Sequence, residues 1–156
     1  MALTAAQRTA IKADILSTKA GYWNSNQLNA LAELYNVTAA PDYIVWKTSV
    51  TASQMHTAYV WTELDNLSQA KFNQLTLMLS EGSVNPSLVN IRQGFSDIFT
   101  TNCPNTRTAL IALSKRKATV AEKMFATGTG SDPSPATLSF EGTITAQDIV
   151  EAMANG

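Results

Sequence analysis

Apolar side chains recur at helical spacing along most of the chain. Leu28, Leu31, Ala32 and Tyr35 share one face of a helix over about 26–35. Leu64, Leu67, Phe72, Leu75, Met78 and Leu79 fall within a sector of roughly 140° at 100° per residue, which predicts a long helix over 62–80 ended by Gly82. Leu88, Ile91, Phe95, Ile98 and Phe99 define another over 86–99, where Asn85-Pro86 supplies a cap and a preset φ. Its Gly94 costs on the order of 1 kcal/mol against Ala, so close packing of another backbone is expected there. Leu110, Leu113, Val120, Ala121 and Met124 predict a further long helix over 106–125.

Polar positions mark the ends. Thr4-x-x-Gln7, Thr51-x-x-Gln54 and Thr145-x-x-Asp148 have the form of capping boxes, opening a first helix over 4–18, a brief one after 51 and a last short one. Residues 36–50 read as extended or irregular, broken by Pro41, with Tyr43-Ile44-Val45-Trp46 strand-like. Beyond 125 the pattern changes. Gly128-Thr129-Gly130-Ser131-Asp132-Pro133-Ser134-Pro135 reads as a linker. Leu138 and Phe140 then alternate with Ser139 and Glu141, giving one apolar and one wet edge. The expected fold is therefore mainly α. It is a helical bundle over 1–125 with an extended C-terminal arm over 126–156, which contains a short strand-like segment and a short terminal helix. Two alternating apolar residues are too few to bury a strand unaided. The arm is thus expected to be mobile when unbound and to dock elsewhere through Leu138, Phe140, Ile144 and Ile149.

Composition narrows the function. In 156 residues, 45% are apolar and only 15% charged, below the usual quarter or so. Net charge is −1, so no global basic field recruits nucleic acid. The charges are unevenly placed: 107–123 hold five bases and one acid, whereas 126–156 hold four acids and no base. An acidic arm could lie on that basic segment, of its own chain or of a neighbour. A single cysteine excludes an internal disulfide and a multi-cysteine zinc site. No stretch approaches the ~20 apolar residues of a membrane helix, and the first twenty residues lack a signal-peptide core, so a soluble protein made in the cytoplasm is expected.

Candidate chemistry is sparse, and no enzyme, cofactor or metal site is expected. No Lys-Ser/Thr follows Gly130, which rules against a phosphate loop. His56 is the only histidine and reads as a surface or packed residue. Cys103, before a helix start, reads as an idle buried thiol. Glu63 and Asp65 point to different faces and read as servants of a first-turn dipole. Lys71 and Lys117 project near the centres of apolar stripes, where snorkelling or a salt bridge is expected. Lys115, Arg116 and Lys123 share the polar face of the 106–125 helix, able to meet DNA phosphates or an acidic arm. Trp23, Trp46 and Trp61 read as core or interface anchors.

Several segments carry a family resemblance. They are Trp46-Lys47-Thr48-Ser49-Val50, Trp61-Thr62-x-x-Asp65-Asn66-Leu67-Ser68, Asn85-Pro86-Ser87, the run Ala121-Glu122-Lys123-Met124-Phe125-Ala126-Thr127-Gly128-Thr129-Gly130, Pro135-Ala136-Thr137 and Phe140-Glu141-Gly142. From about Val45 onward the chain resembles small structural proteins of tailed bacteriophages. Its size and layout are most similar to the head-to-tail adaptor, or head-completion, protein of short-tailed phages. The resemblance implies a virion protein at the head–tail junction that forms a ring of twelve copies. Its partners would be the portal protein, a tail nozzle or other tail protein, and the genomic DNA passing through the channel, with no membrane. The alternatives are a capsid decoration or cement protein and a small nucleic-acid-binding regulator.

Overall fold

The computed structural model describes residues 2–156, and the chain is mainly α-helical. It begins with α1 (Ala5–Asp14), a π-helical turn (Ile15–Lys19), α2 (Ala20–Asn24) and α3 (Leu28–Asn36). Next come β1 (Ile44–Trp46), β2 (Val50–Thr51), α4 (Ala52–Ala58), α5 (Trp61–Leu64), α6 (Gln69–Leu79) and β3 (Ser83–Val84). The remainder is α7 (Val89–Ile98), α8 (Pro104–Leu113), β4 (Lys115–Lys117), α9 (Val120–Phe125) and α10 (Ala146–Asn155). The strands make two small pairs, β1 with β4 and β2 antiparallel to β3.

Two units result, and neither follows a boundary at 125. One is Met1–Tyr43 with Lys117–Gly156; the other is Ile44–Arg116. In the first, α1 packs on α10, α10 on α3, and α3 on α9. Ile11, Ile15, Leu31, Tyr35, Ala121, Phe140, Ile144 and Ile149 form its core. The segment expected to be a free arm is thus part of this core. Phe140, Ile144 and Ile149 are 3%, 2% and 0% exposed, and Leu138 is half-buried. The apolar count was the error. Phe140 gains Ile144, Ile149 and Ala152 as companions, and fully burying such side chains is worth roughly 1.5–3 kcal/mol each. Asn36 completes the docking: its side-chain amide donates to Ile144 O at 2.8 Å and accepts the Ile144 N–H at 2.8 Å, as a strand neighbour would. Residues 137–141 form no named strand, only a Thr127–Thr137 bridge at their start.

The π-helical turn lies between α1 and α2, so the first helical run continues past Gly21 to Asn24. The wider turn lets Ser17 and Thr18 hydroxyls donate to Asp14 O at 3.1 and 2.9 Å, and it returns Lys19 onto the Asp14 carboxylate. The buried Tyr35 hydroxyl donates to the same carboxylate at 2.7 Å. Burial opposes ionisation of Asp14, but the Lys19 and Tyr35 hydrogen bonds and the Lys19 charge outweigh it and hold the carboxyl below its ordinary value. Burial and the facing carboxylate push the Tyr35 hydroxyl far up.

In the second unit Val50, Met55, Tyr59, Leu75, Phe95, Ile98, Phe99, Cys103 and Leu110 form the core. Two long helices expected from periodicity are broken. The 62–80 stripe divides into α5 and α6, because the Ser68 hydroxyl caps a new helix by accepting the Lys71 N–H at 3.4 Å. Phe72, assigned inward on a continuous helix, is 50% exposed. The 106–125 stripe ends at Leu113 and resumes at Val120, with β4 between. Thr119 starts α9 through a full capping box with Glu122. The boxes at Thr4, Thr51 and Thr145 are all present. The 86–99 helix begins at Val89 instead: Asn85 Oδ1 accepts the Ser87 N–H at 3.0 Å, which holds a turn there, and Pro86 follows it buried.

Candidate functional site

One closely pinned surface element is the short α5 turn of the second unit. Helix α8 starts at Pro104, and its N-cap, Cys103, offers no side-chain cap. Glu63 supplies the acceptor from a distant part of the sequence. Its Oε1 accepts from Asn105 N at 3.2 Å and Asn105 Nδ2 at 2.7 Å, and Oε2 accepts from Thr106 N at 2.8 Å. Three further bonds join the segments. Cys103 Sγ donates to Glu63 O at 3.1 Å, Val60 N to Thr106 Oγ1 at 3.0 Å, and Asn66 Nδ2 to Asn102 O at 3.4 Å. Burial raises the Glu63 pKa, but the hydrogen bonds from Thr106 and Asn105 prevail and hold it below the ordinary value. Glu63 therefore caps another helix and does not serve the dipole of its own. Burial, then the Glu63 charge, pushes the Cys103 thiol up, consistent with an unreactive structural donor.

This clamp positions Trp61, which stays 63% exposed. His56, also exposed, lies 6.2 Å from the Trp61 ring and 5.5 Å from Tyr59, and Tyr59 meets Trp61 edge-on at 5.8 Å. Tyr59 is 8% exposed and its buried hydroxyl has no hydrogen-bond partner. Burial pushes that hydroxyl up to about 12, so it is a neutral donor. The sequence placed Trp61 as an anchor without seeing what holds it. Cys103, a residue that caps poorly, directly before a proline at a helix start was the available signal.

A second feature of this unit is a groove of about 560 Å³ between α6 and the 83–91 segment, lined by Leu77, Met78, Val84, Leu88 and Ile91 with Glu81 and other polar groups. Leu77 and Leu88 are 75% and 49% exposed, and Val89, which follows Leu88 in the chain without lining the groove, is 70% exposed. Gly94 accommodates the Met78 side chain, not a backbone: a Cβ there would stand 2.6 Å from Met78 Cε. Lys71 is half-buried and Asp97 exposed around a pocket on α6 and α7.

The basic residues do not form one helix face. Lys115 and Arg116 lie on strand β4, where neighbours point to opposite sides, and Lys123 is on α9 in the first unit. Lys115 Nζ lies 5.9 Å from the Trp46 ring, which Arg92 covers at 4.4 Å. Lys123 Nζ lies 5.7 Å from the Tyr43 ring. Lys117 pairs with Asp42 at 2.6 Å on an open surface instead of projecting from an apolar stripe. The Leu138, Phe140, Ile144 and Ile149 set is drawn together, but as core and not as a docking edge. No group of three or more metal-ligating side chains occurs among the described residues, and no helix there is long and apolar enough to cross a membrane. No family model matches the chain, and no similar curated protein or solved structure is found.

Proposed function

We propose that this chain is a structural protein of a tailed-phage virion, the head-to-tail adaptor. Its copies join into a ring that connects the portal to the tail and borders the DNA channel. The observation that carries the reading is the apolar groove face of α6 and α7. The exposed Leu77 and Leu88 line a cavity of about 560 Å³, which suits a subunit whose surface is completed by the next copy. In a cyclic assembly one surface meets a different surface of the neighbour, so an unpartnered face of this kind recurs at every joint. The resemblance of residues from Val45 onward supplies the class of virion protein. Residues 126–156 support the assembly from within, by completing the core of the first unit, rather than as a mobile arm.

The test is size exclusion with light scattering of the full chain, alone and mixed with the portal ring from the same genome. Near-stoichiometric loading, lost in Leu77→Glu, supports the adaptor. Failure to load on an intact portal ring, with retention on capsids lacking a portal, would transfer the chain to the decoration class.

A further inference from the structure

We propose that the α6 face of a free copy is covered by α6 of a second copy, the two helices running antiparallel about a two-fold axis. The groove does not end with its 560 Å³ cavity. A second pocket of about 290 Å³ adjoins it, and Gln74 and Met78 line both. Gly94 keeps that pocket open, because a Cβ there would meet Met78 Cε. Lys71 borders one end of the resulting trough. Glu81, in the turn that closes α6, borders the other, about 15 Å away at helical rise. Leu77, 75% exposed, stands between them.

Charge selects the occupant. A helix macrodipole favours acids in the first turn and bases in the last. Glu122 of α9 and Asp148 of α10 follow that rule, as do Lys12 of α1 and Lys123 of α9. Helix α6 reverses it: Lys71 lies in its first turn and Glu81 just past its end. Neither of these side chains has a hydrogen bond or ion pair among the described residues. A two-fold contact repeats every pairing, residue i on j and j on i. In the antiparallel arrangement, Lys71 of each copy meets Glu81 of the other and lies at the negative end of the other's helix. The same register sets Gln74 opposite Met78 and brings the two Leu77 side chains together near the axis, out of water. Asp97, exposed at the Lys71 end, opposes the incoming Glu81; its Oδ1 already accepts from Gln93 Nε2 at 2.9 Å. The pair stands on this geometry alone. Its consequence rests on the ring reading: the face used by the ring joint stays hidden until a portal competes for it.

The test swaps the charges. Lys71→Glu and Glu81→Lys each suit the dipole of α6, so unfolding midpoints should stay near that of the wild type. Each variant alone should lose self-association by about tenfold or more in sedimentation, because like charges meet at both ends. A 1:1 mixture should return to the wild-type level, because every contact again joins an acid and a base. Asp97→Asn should tighten the pair. Cys103 is buried, so a Leu77→Cys chain should oxidise to a single dimer, which stays off the portal ring and loads after reduction. Overturning results are a wild type that stays monomeric at its highest soluble concentration, single variants that pair normally, a mixture no better than its parts, oxidised species larger than a dimer, or a cross-linked dimer that loads. A monomeric wild type that loads on the portal would remove the pair and leave the adaptor reading intact. A pair in a chain that never loads would do the reverse.

Discussion

Replacing Gly130 by alanine should cost about 3–6 kcal/mol, and replacing Gly21 by alanine should add about 0.5–1 kcal/mol. Gly130 has φ +66°, a conformation that costs a side-chain-bearing residue roughly 1–2 kcal/mol. A Cβ there would lie 2.1 Å from Tyr43 Cε2 and 2.2 Å from Cδ2, so the ring must leave its seat. Overpacking of this kind costs typically 1–3 kcal/mol, and loss of the 2.8 Å Tyr43–Gly128 hydrogen bond costs about 1 kcal/mol more. Gly21 lies inside α2 with nothing within 4 Å of the new Cβ, so the alanine gains helix propensity alone. Both glycines belong to the first unit, and so does Trp23, which packs on its core. Urea unfolding followed by Trp23 fluorescence, in a Trp46→Phe/Trp61→Phe background, reports both changes on one scale. A Gly130→Ala protein within 0.5 kcal/mol of its parent would refute the seating of the Tyr43 ring on Gly130.

Three other outcomes follow from the same geometry. Ile149→Ala should lower stability by roughly 2–5 kcal/mol in urea or calorimetry, because Ile149 is 0% exposed in the core; a change under 0.5 kcal/mol would restore the free-arm view. The Glu63 carboxyl is held below its ordinary value of 4.5, so its stabilisation is full above about that pH and is lost as pH falls through the folded-state value. The unfolding midpoint of the second unit should thus drop in acid in the wild type, with a flatter profile in Glu63→Gln; parallel profiles would exclude the clamp. Leu77→Glu, at a side chain 75% exposed, should leave the unfolding free energy within about 0.5 kcal/mol while abolishing assembly.

Local signals were legible in the sequence and distant partners were not. The Thr4, Thr51 and Thr145 boxes could be read because cap and third residue are adjacent in the chain. The 28–36 face was legible for the same reason: Leu31, Ala32 and Tyr35 are all buried. Periodicity overran where a polar residue restarts a helix. Ser68 and Thr119 look like ordinary surface positions in a stripe, yet each caps a new segment. The fate of 126–156 was hidden because its partners are Asn36 and α1, more than a hundred residues away in the chain. Of the candidate site, Trp61 was visible as an anchor. The Glu63 clamp was not, since it spans about forty residues between two unremarkable turns.

Native mass spectrometry of the full chain mixed with its portal ring tests the adaptor claim most directly. The account predicts a discrete complex carrying one ring of adaptor, twelve copies on a portal of matching symmetry, with none in Leu77→Glu. An intact portal ring that stays bare beside excess folded wild-type protein would contradict it.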